Sequence, residues 1–474
     1  MKKTFIYSLS MYFIFSIYSL NMSAEIKLPA IFNDNMVLQQ KTDCAIWGKA
    51  SKNAKVSIIT SWNKKNYTTE ASLDGSWKIK VATPTAGGPY QITISDGKVL
   101  TLKNILIGEV WVCSGQSNME MPMKGFTNQP VLGSAEAIAF SQNPEIRLFT
   151  VKRNTSLEPL NDFEAKWSLC EPENVAEFSA TAYYFGMMLN KKLHIPIGLI
   201  HSSWGGTRIE PWISEMGIKN FDWVKIPEKT PVQKLSPQIP TVLFNAMINP
   251  MLGFNIKGVI WYQGESNRLE PSQYQKLLPG LIQNWRNLWG IGDFPFYYVQ
   301  IAPYDYGKDG LNSAYLREAQ LKASTIIPNI AMASTMDIGE KSLIHPSNKE
   351  IGAQRLAFLA LEKTYKVKGI QAESPVYKTI KIVNNIAKLS FDNAPMGLTS
   401  YNKKLENFEV AGADKKFYPA DATITKEGID VSSSLVKEPI AVRYAFKDFV
   451  VGDLFGLNGF PVSSFRTDDW EQIN

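Results

Sequence analysis

Residues 105–121 read ILIGEVWVCSGQSNMEM, so a strongly apolar run passes directly into small and polar residues. The apolar half predicts a buried β-strand, because β-branched and aromatic residues dominate it. Gly115 allows a tight turn after this strand, and the polar half then places Ser117 just past the strand's carboxyl end. Met119 stands where the G-x-S-x-G nucleophile elbow has its second glycine, so the stretch does not predict an α/β-hydrolase. Taken alone, it leaves Ser117 as either a nucleophile or an ordinary turn or cap residue.

The middle of the chain repeats this pattern of an apolar run followed by a polar loop. Strand-like runs recur at IPIGLIHSSWGG (195–206), IKGVIWYQGES (256–266), FPFYYVQIAP (294–303) and IAMASTMDIG (330–339). Helical patterns occupy residues 181–193, 272–290, 314–325 and 349–365. Strands that alternate with helices predict a parallel sheet with helices on both faces. Ligands bind at the carboxyl ends of such strands, so the loops that follow them are the candidate site.

The regions on either side of this α/β pattern are typical of β-structure. Residues 25–104 contain short alternating or β-branched runs separated by Gly, Pro, Asn and Asp, which predict a small β-sandwich. Residues 366–474 return to strand-like patterning and predict a second β-rich region. The predicted catalytic domain is therefore 105–365, with β-rich accessory regions before and after it.

The first residues, 1–24, are similar to a secretory signal peptide. Lys2 and Lys3 precede an apolar segment over residues 5–20. Cleavage after Ala24 completes the pattern, and an uncleaved anchor is the alternative. No later run in the sequence is long and apolar enough to span a bilayer. We therefore expect an exported protein, periplasmic or extracellular, with no membrane span once the signal is removed.

Charge and cysteine content argue against several other classes of protein. The formal net charge is +6, and loss of the two signal lysines leaves 6 − 2 = +4 with no basic cluster, so no nucleic-acid partner is expected. Cys44, Cys113 and Cys170 allow one disulfide at most, and we expect them to be mostly free and buried. No spacing of Cys and His suggests zinc, so no metal is expected.

A serine nucleophile needs a base whose pKa is near neutrality, which is usually a histidine. His194 follows a helical pattern and reads as a capping or surface residue. His201 ends a predicted strand, where it either lines the site or packs in the interior. His345 lies in a loop before a helix, and Pro346 holds it in extended geometry. A loop histidine that faces a cleft at the strand ends suits a general base, and an ordinary exposed loop histidine is the alternative.

Acyl transfer also needs hydrogen-bond donors for the oxyanion. Gly205 and Gly206, in SSWGGT, follow one predicted strand and can turn bare N–H groups towards a substrate. Gln263, Glu265 and Asn267, in WYQGESN, follow another strand. Each loop alone is also compatible with ordinary turn chemistry. The prediction of a hydrolytic site therefore depends on three strand-end loops with complementary roles.

Four linked blocks of sequence resemble those of the sialate O-acetylesterase family within the SGNH hydrolases. The blocks are GEVWVCSGQSNMEMPM (108–123), IGLIHSSWGGTRIEPW (197–212), GVIWYQGESN (258–267) and IHPSNKEIGAQRLA (344–357). Their order and approximate spacing agree with the family, and LPAIFNDNMVLQQ (28–40) resembles the start of the same proteins. The resemblance implies a three-layer α/β/α, flavodoxin-like core with β-rich accessory regions. It also implies a serine esterase that removes acetyl groups from sugars without a metal or organic cofactor.

The resemblance assigns roles to individual residues. It implies that Ser117 is the nucleophile and His345 the general base. The backbone N–H groups of Ser117 and Gly206 would form the oxyanion hole, with Gln263 as the side-chain donor and Gly205 beside it. Glu265 is expected to orient its loop rather than to react.

The sequence departs from the family just before the histidine, because Ser342 and Leu343 stand where an acid is expected. Asp337 ends a strand-like run and is one candidate to orient His345, as the acid of a triad does. A Ser–His dyad, in which a backbone carbonyl or an amide side chain fixes the imidazole tautomer, is the other candidate. The third partner therefore stays open.

The substrate is also open at this stage. Arg208 either binds a sialic-acid carboxylate, since arginine binds carboxylates in a bidentate manner, or forms an ion pair with Glu210 or another acid. Our favoured hypothesis is an esterase of O-acetylated sialic acids. Acetylxylan or another acetylated glycan is the alternative substrate, and a non-catalytic glycan-binding protein on the same fold is the alternative from another class.

Overall fold

The computed structural model describes residues 25–229, 235–307 and 310–470. The predicted signal segment, 1–24, lies outside them. The strands are β1 (Val37–Gln39), β2 (Asp43–Lys49), β3 (Lys55–Thr60), β4 (Asn66–Glu70), β5 (Ser76–Ala82), β6 (Gly87–Ser95), β7 (Val99–Gly115), β8 (Asn143–Thr150), β9 (Trp167–Cys170), β10 (Ile197–Ser203), β11 (Gly258–Tyr262), β12 (Phe296–Val299), β13 (Ile330–Ala333), β14 (Val376–Val383), β15 (Ile386–Asp392), β16 (Leu398–Thr399), β17 (Phe408–Ala411), β18 (Phe417–Pro419), β19 (Asp421–Thr425), β20 (Gly428–Ser432), β21 (Ala441–Tyr444), β22 (Phe455–Gly456) and β23 (Phe465–Arg466).

The helices are α1 (Ser117–Glu120), α2 (Ser134–Ala139), α3 (Pro172–Glu177), α4 (Ala180–Leu193), α5 (Glu215–Ile218), α6 (Pro271–Trp289), α7 (Asn312–Ala323) and α8 (Lys349–Leu359). Short 3₁₀ turns lie at Glu210–Trp212, Asn249–Met251 and Glu265–Asn267, and π turns at Phe244–Ile248 and Ala360–Thr364. Within the described ranges, no helix is both long and apolar enough to cross a membrane.

The centre of the molecule is a mixed sheet in the order β13–β12–β11–β7–β10–β8–β9. All neighbouring pairs in this row are parallel except β8–β9, which is antiparallel. The predicted apolar runs form β7 and β10–β13, and the predicted helices form α4, α6, α7 and α8. The prediction of a largely parallel sheet with intervening helices is confirmed for these elements.

Strand β7 is 17 residues long and belongs to two parts of the molecule. Its first half pairs with β6 in antiparallel fashion and its middle pairs with β1, both from the N-terminal region. Its second half, from Glu109 to Gly115, lies between β10 and β11. The domain boundary that we predicted between 104 and 105 therefore falls inside a single continuous strand.

Both faces of the central sheet are covered, because side chains alternate along its strands. Val110 and Val112 of β7 pack in one apolar cluster together with the buried face of α6. Trp111 and Cys113 point into a second cluster, which includes buried residues of α4 and α8. The helical stripe predicted for α6, at Leu277, Leu278, Leu281, Ile282 and Trp285, is buried in the first cluster. Cys44, Cys113 and Cys170 are free and buried, as predicted.

The C-terminal region is β-structure and contacts the central sheet at several points. It contains the sheets β14–β15–β20–β19 and β18–β17–β21–β23, which share a third apolar cluster. Met336, in the loop after β13, is buried in that cluster. Gln300, just after β12, donates a 2.7 Å hydrogen bond to Ser463, and Arg466 forms an ion pair with Glu318 of α7. The C-terminal region therefore supports the loops that follow β12 and β13.

Candidate active site

Ser117 lies where β7 ends and the single turn α1 begins. Gly115 permits this geometry, because its φ is +139° and a Cβ there would lie 2.1 Å from the carbonyl oxygen of Tyr262 in β11. The N–H of Gln116 bonds that same carbonyl at 2.9 Å. Ser117 is half-buried, and neither its hydroxyl nor its N–H has a hydrogen-bond partner among the described residues. Both groups are free to meet a substrate.

The side chain of Asn118 joins three loops behind Ser117. Its amide nitrogen donates to Glu265 Oε1 at 2.6 Å and to the carbonyl of Ile344 at 3.2 Å. Its amide oxygen accepts a 2.5 Å hydrogen bond from Lys349 Nζ. Asn118 follows Ser117 and Ile344 precedes His345, so these bonds hold the two predicted catalytic residues on adjoining segments.

Lys349 and Glu265 are both buried in this network. Burial lowers the pKa of Lys349 to about 7, and the charges of Glu265 and Glu340 oppose that shift. Burial likewise raises the pKa of Glu265, and the hydrogen bond from Asn118 opposes that rise. An amide side chain that bonds both groups therefore lies between two costly buried charges of opposite sign.

The imidazole of His345 is held by the segment that follows α1. Its Nδ1 contacts Gln129 Oε1, and its ring packs against Phe126 with the centroids 5.4 Å apart. An amide oxygen can only accept, so Nδ1 carries the proton and Nε2 is left as the basic nitrogen. Burial lowers the pKa of His345 to about 4, and the positive charge of Lys349 acts in the same direction. The imidazole is therefore neutral at ordinary pH, as a general base must be.

The glycine loop after β10 lies directly against Ser117. A Cβ at Gly205 would be 3.1 Å from the Ser117 Cβ, and the Gly205 N–H donates to Glu120 Oε2 at 2.7 Å. Gly206 has a φ of +74° and open space on its Cβ side, and its N–H has no partner in the described part of the chain. Its carbonyl accepts a 2.6 Å bond from Gln238. Of the two glycines in this loop, Gly206 is therefore the one whose N–H is free among the described residues.

Gln263 differs from the expectation that it donates to an oxyanion. Its amide nitrogen donates to the Thr207 carbonyl at 3.2 Å and to Asn267 Oδ1 at 2.8 Å. Both N–H groups are used, and Gln263 Oε1 is buried with no partner among the residues that the structure describes. If the amide oxygen and nitrogen of Gln263 were swapped, the oxygen would face the carbonyl oxygen of Thr207, and neither atom could donate a hydrogen bond. The network therefore fixes the orientation of the amide. In this arrangement Gln263 braces the glycine loop.

Asp337 does not contact His345. Both of its carboxylate oxygens bond Arg355, at 2.7 and 2.6 Å. The remaining nearby acid, Glu340, accepts hydrogen bonds from the N–H and hydroxyl of Ser347. Gln129 occupies the position on Nδ1 for which Asp337 was a candidate, so the structure matches the alternative of an amide side chain.

His201 and Arg208 are held by other parts of the chain. His201 is buried in β10, where Nε2 contacts Ser203 and the ring packs against Phe178, so it packs in the interior. Arg208 forms ion pairs with Glu210 at 2.8 Å and Glu270 at 3.1 Å. Of the two roles considered for Arg208, the structure shows the ion pair.

Several functional candidates escaped the sequence reading. Asn118 and Glu120 lie inside the quoted stretch 105–121, and Lys349 lies inside IHPSNKE. Their closeness in sequence to Ser117 and His345 is the feature by which they could have been predicted. Gln129 follows Ser117 by only twelve positions but lies in an irregular segment, and no pattern singles it out. The described residues contain no group of three or more His, Cys, Asp and Glu side chains placed to hold a metal ion.

The chain is similar to known carbohydrate esterases. Residues 107–359 match the family described as carbohydrate esterase, sialic acid-specific acetylesterase. The chain is 30% identical to the human sialate O-acetylesterase over 89% of this chain and 87% of that protein. It is 29% identical to the mouse sialate O-acetylesterase over 88% and 89% of the two chains. The crystal structure of a carbohydrate acetylesterase from Xanthomonas citri superposes on this chain with a TM-score of 0.86 and 32% sequence identity. The match covers 94% of this chain and 100% of the Xanthomonas chain.

Proposed function

The chain belongs to the carbohydrate esterase family of sialic acid-specific acetylesterases, and from this membership and the site geometry we propose that it hydrolyses O-acetyl esters of sialic acids. It is thus a carboxylic ester hydrolase. The curated relatives, which match over most of their length, are named for sialate esters. This supports the same substrate class here.

In the proposed mechanism, the Ser117 hydroxyl attacks the acetyl carbonyl while His345 Nε2 takes its proton. Gln129 Oε1 holds the Nδ1 proton and so keeps Nε2 available. The tetrahedral oxyanion accepts hydrogen bonds from the N–H groups of Ser117 and Gly206. When the carbon–oxygen bond to the sugar breaks, the sugar oxygen takes the proton from His345, and the acetyl group stays on Ser117.

Water then hydrolyses the acetyl-enzyme by the same route. His345 removes a proton from the water molecule, whose oxygen attacks the acetyl carbonyl. Collapse of the second oxyanion releases acetate and returns the proton to Ser117. Gln263 contributes to both halves by bracing the Thr207 carbonyl in the glycine loop rather than as a third donor.

The observation that carries this proposal is the bridge made by Asn118. Its side chain links the residue after Ser117 with the carbonyl before His345, at 3.2 Å. Residues that lie 228 positions apart are thereby held on neighbouring segments at the carboxyl edge of the sheet. A glycan-binding protein without catalysis would have no need for a free serine hydroxyl and a neutral, oriented imidazole on linked segments.

Two further parts of the proposal concern the whole chain. We propose that the core is the three-layer, flavodoxin-like SGNH fold, which the parallel sheet with apolar clusters on both faces supports. We also propose that residues 1–24 direct export to the periplasm or the outside of the cell. The amino-terminal sequence of the protein recovered from a periplasmic extract tests the second point.

The catalytic proposal is tested by acetate release from O-acetylated sialic acid. Ser117→Ala and His345→Ala should each reduce release by a factor on the order of 10³ or more, because each removes a group that acts in the covalent step. Equal secondary-structure content and melting temperature in the variants control for folding. Undiminished release by Ser117→Ala would end this mechanism. Release from acetylxylan in preference to the sialic acid ester would instead reassign the substrate.

A further inference from the structure

Arg268 lies at the carboxyl edge of the sheet, just after the 3₁₀ turn that follows β11. It is half-buried, and its guanidinium centre lies 4.3 Å from the ring centroid of Tyr306, in the loop after β12. The ring of Tyr304 meets that of Tyr306 edge-on at 4.8 Å. Arg268 is therefore supported by an aromatic pair, which orders its planar side chain.

Within the described ranges, Arg268 has no carboxylate partner. Among the described residues, the only hydrogen bond of its guanidinium is a weak one of 3.4 Å to the carbonyl of Glu265. The two other arginines near the site are paired, Arg153 with Glu120 and Arg208 with two glutamates. Arginines elsewhere that lack an ion pair, such as Arg147, are buried and donate to backbone carbonyls. Most of the N–H donors of Arg268 are thus free for a ligand.

The loop that carries Arg268 lies beside the segment that carries Ser117. The N–H of Gly264 bonds Gln116 Oε1 at 3.2 Å, and Glu265 bonds Asn118, so this loop meets the residues on both sides of Ser117. Tyr306 follows β12, which is two strands away from β7. Arg268 follows β11, the neighbour of β7, so Arg268 and Ser117 lie beyond the ends of adjacent strands, whose spacing is about 4.8 Å. One sugar with an acetyl ester spans that distance.

A second observation also indicates a ligand here. The hydroxyl of Tyr306 is buried and has no hydrogen-bond partner in the described part of the chain. An orphaned buried hydroxyl beside a free guanidinium is costly unless something polar binds there. The same surface presents two aromatic rings, which pack well against the apolar face of a sugar.

We propose that Arg268 binds the carboxylate of an acidic sugar whose acetyl ester lies at Ser117. The planar guanidinium matches a carboxylate in a bidentate manner, and no acid of the chain competes for it among the described residues. This inference depends on the proposed function, because it names the feature by which that site would select sialic acids. It assigns to Arg268 the role that the sequence had suggested for Arg208.

The test compares wild type, Arg268→Ala and Arg268→Lys on two substrates, O-acetylated sialic acid and its carboxyl methyl ester. For Arg268→Ala we expect kcat/KM on the free acid to fall about 10- to 100-fold, mainly through KM, as for loss of a charge-assisted hydrogen bond. The loss on the methyl ester should be at least tenfold smaller. Arg268→Lys keeps the charge but not the planar arrangement of donors, so its kcat/KM on the free acid should lie between those of wild type and Arg268→Ala. Lys378→Ala, which removes an exposed charge in the C-terminal region, should alter neither substrate.

Equal losses on the two substrates, or no loss on either, would overturn the role of Arg268. A calorimetric measurement separates this outcome from failure of the proposed function. Wild type should bind free sialic acid, which carries no acetyl ester, at least tenfold more tightly than Arg268→Ala does. If wild type releases no acetate from either sugar ester but shows this difference in binding, the esterase proposal fails and the carboxylate site stands. Equal binding by the two proteins overturns the carboxylate site whatever the esterase activity.

Discussion

Replacing Gln129 by glutamate tests the partner of the His345 imidazole, the proposed general base, directly. Glutamate has the same length, so its carboxylate takes the place of the amide oxygen on His345 Nδ1. An opposite charge at contact distance raises the pKa of an imidazole by about one to three units. The pKa of His345 is about 4 in the native chain, so we expect about 5–7 in Gln129→Glu.

The sign of the effect on activity follows from which form of the imidazole reacts. Only the neutral form takes a proton, so activity is lost as the pH falls through the pKa of His345. At pH 5 a group with a pKa of 4 is roughly 90% neutral, whereas one with a pKa of 6 is roughly 10% neutral. Gln129→Glu should therefore lose about tenfold in kcat/KM at pH 5 for a two-unit shift. At pH 8 it should equal or exceed wild type, because the carboxylate stabilises the imidazolium that forms in the transition state.

The assay is the pH dependence of kcat/KM, measured by acetate release between about pH 3.5 and 8.5, since this profile reports the free enzyme. The melting temperature at each pH shows whether the protein remains folded. Gln129→Met is the matched control, because it keeps the size of the side chain but removes the acceptor. It should lower the plateau rate without moving the acid limb to higher pH. An acid limb in Gln129→Glu that coincides with that of wild type would refute the contact between Gln129 and His345.

Three further variants probe the surrounding charges. Lys349→Met removes a positive charge that lowers the pKa of His345, so the acid limb of the kcat/KM profile should move to higher pH. The pKa should return only part of the way to its usual value, because His345 remains buried. An unmoved acid limb would contradict this coupling. Burial lowers the pKa of His201 to about 4, so the unfolded state binds an extra proton between about pH 6.5 and 4, and the free energy of unfolding falls as the pH drops. His201→Gln should remove up to about 3 kcal/mol of this fall in the free energy of unfolding, measured by denaturant titration at several pH values. A pH dependence as steep as that of wild type would contradict the role of His201. Asp337→Asn should lower the melting temperature by breaking the ion pair with Arg355, while the acid limb of the kcat/KM profile stays in place. A moved acid limb with an unchanged melting temperature would instead indicate that Asp337 orients His345.

The sequence predicted the elements whose patterns are strong. The second half of β7 and strands β10–β13 are largely apolar, because they are buried on both faces, and they were found as strands. β8 was missed, although it lies in the same sheet. Glu145 and Arg147 interrupt its apolar run, and Arg147 is tolerated there because its guanidinium donates to the backbone carbonyl of Ile146. Hydrogen bonds of this kind depend on tertiary structure and leave no periodic pattern.

The site was predictable to the same degree. Ser117 and Gly206 follow the ends of β7 and β10, and His345 lies in the loop before α8. Among the described residues, the Ser117 hydroxyl and the Gly206 N–H have no partner. The partner of His345 was not predictable, because Gln129 has no fixed spacing from it and an amide gives no electrostatic signal. The expectation for Gln263 was drawn from its position in the sequence, whereas its function depends on which neighbours its two N–H groups meet.

The continuity of β7 limits how this enzyme can be taken apart. A fragment cut to residues 105–365 would begin in the middle of a strand, and residues 105–108 of β7 would lose β6 and β1 as neighbours. It would expose an unpaired, apolar edge of the kind that promotes association between molecules. The N-terminal region is therefore not a detachable module, and transplanting the esterase activity into another protein requires carrying that region along.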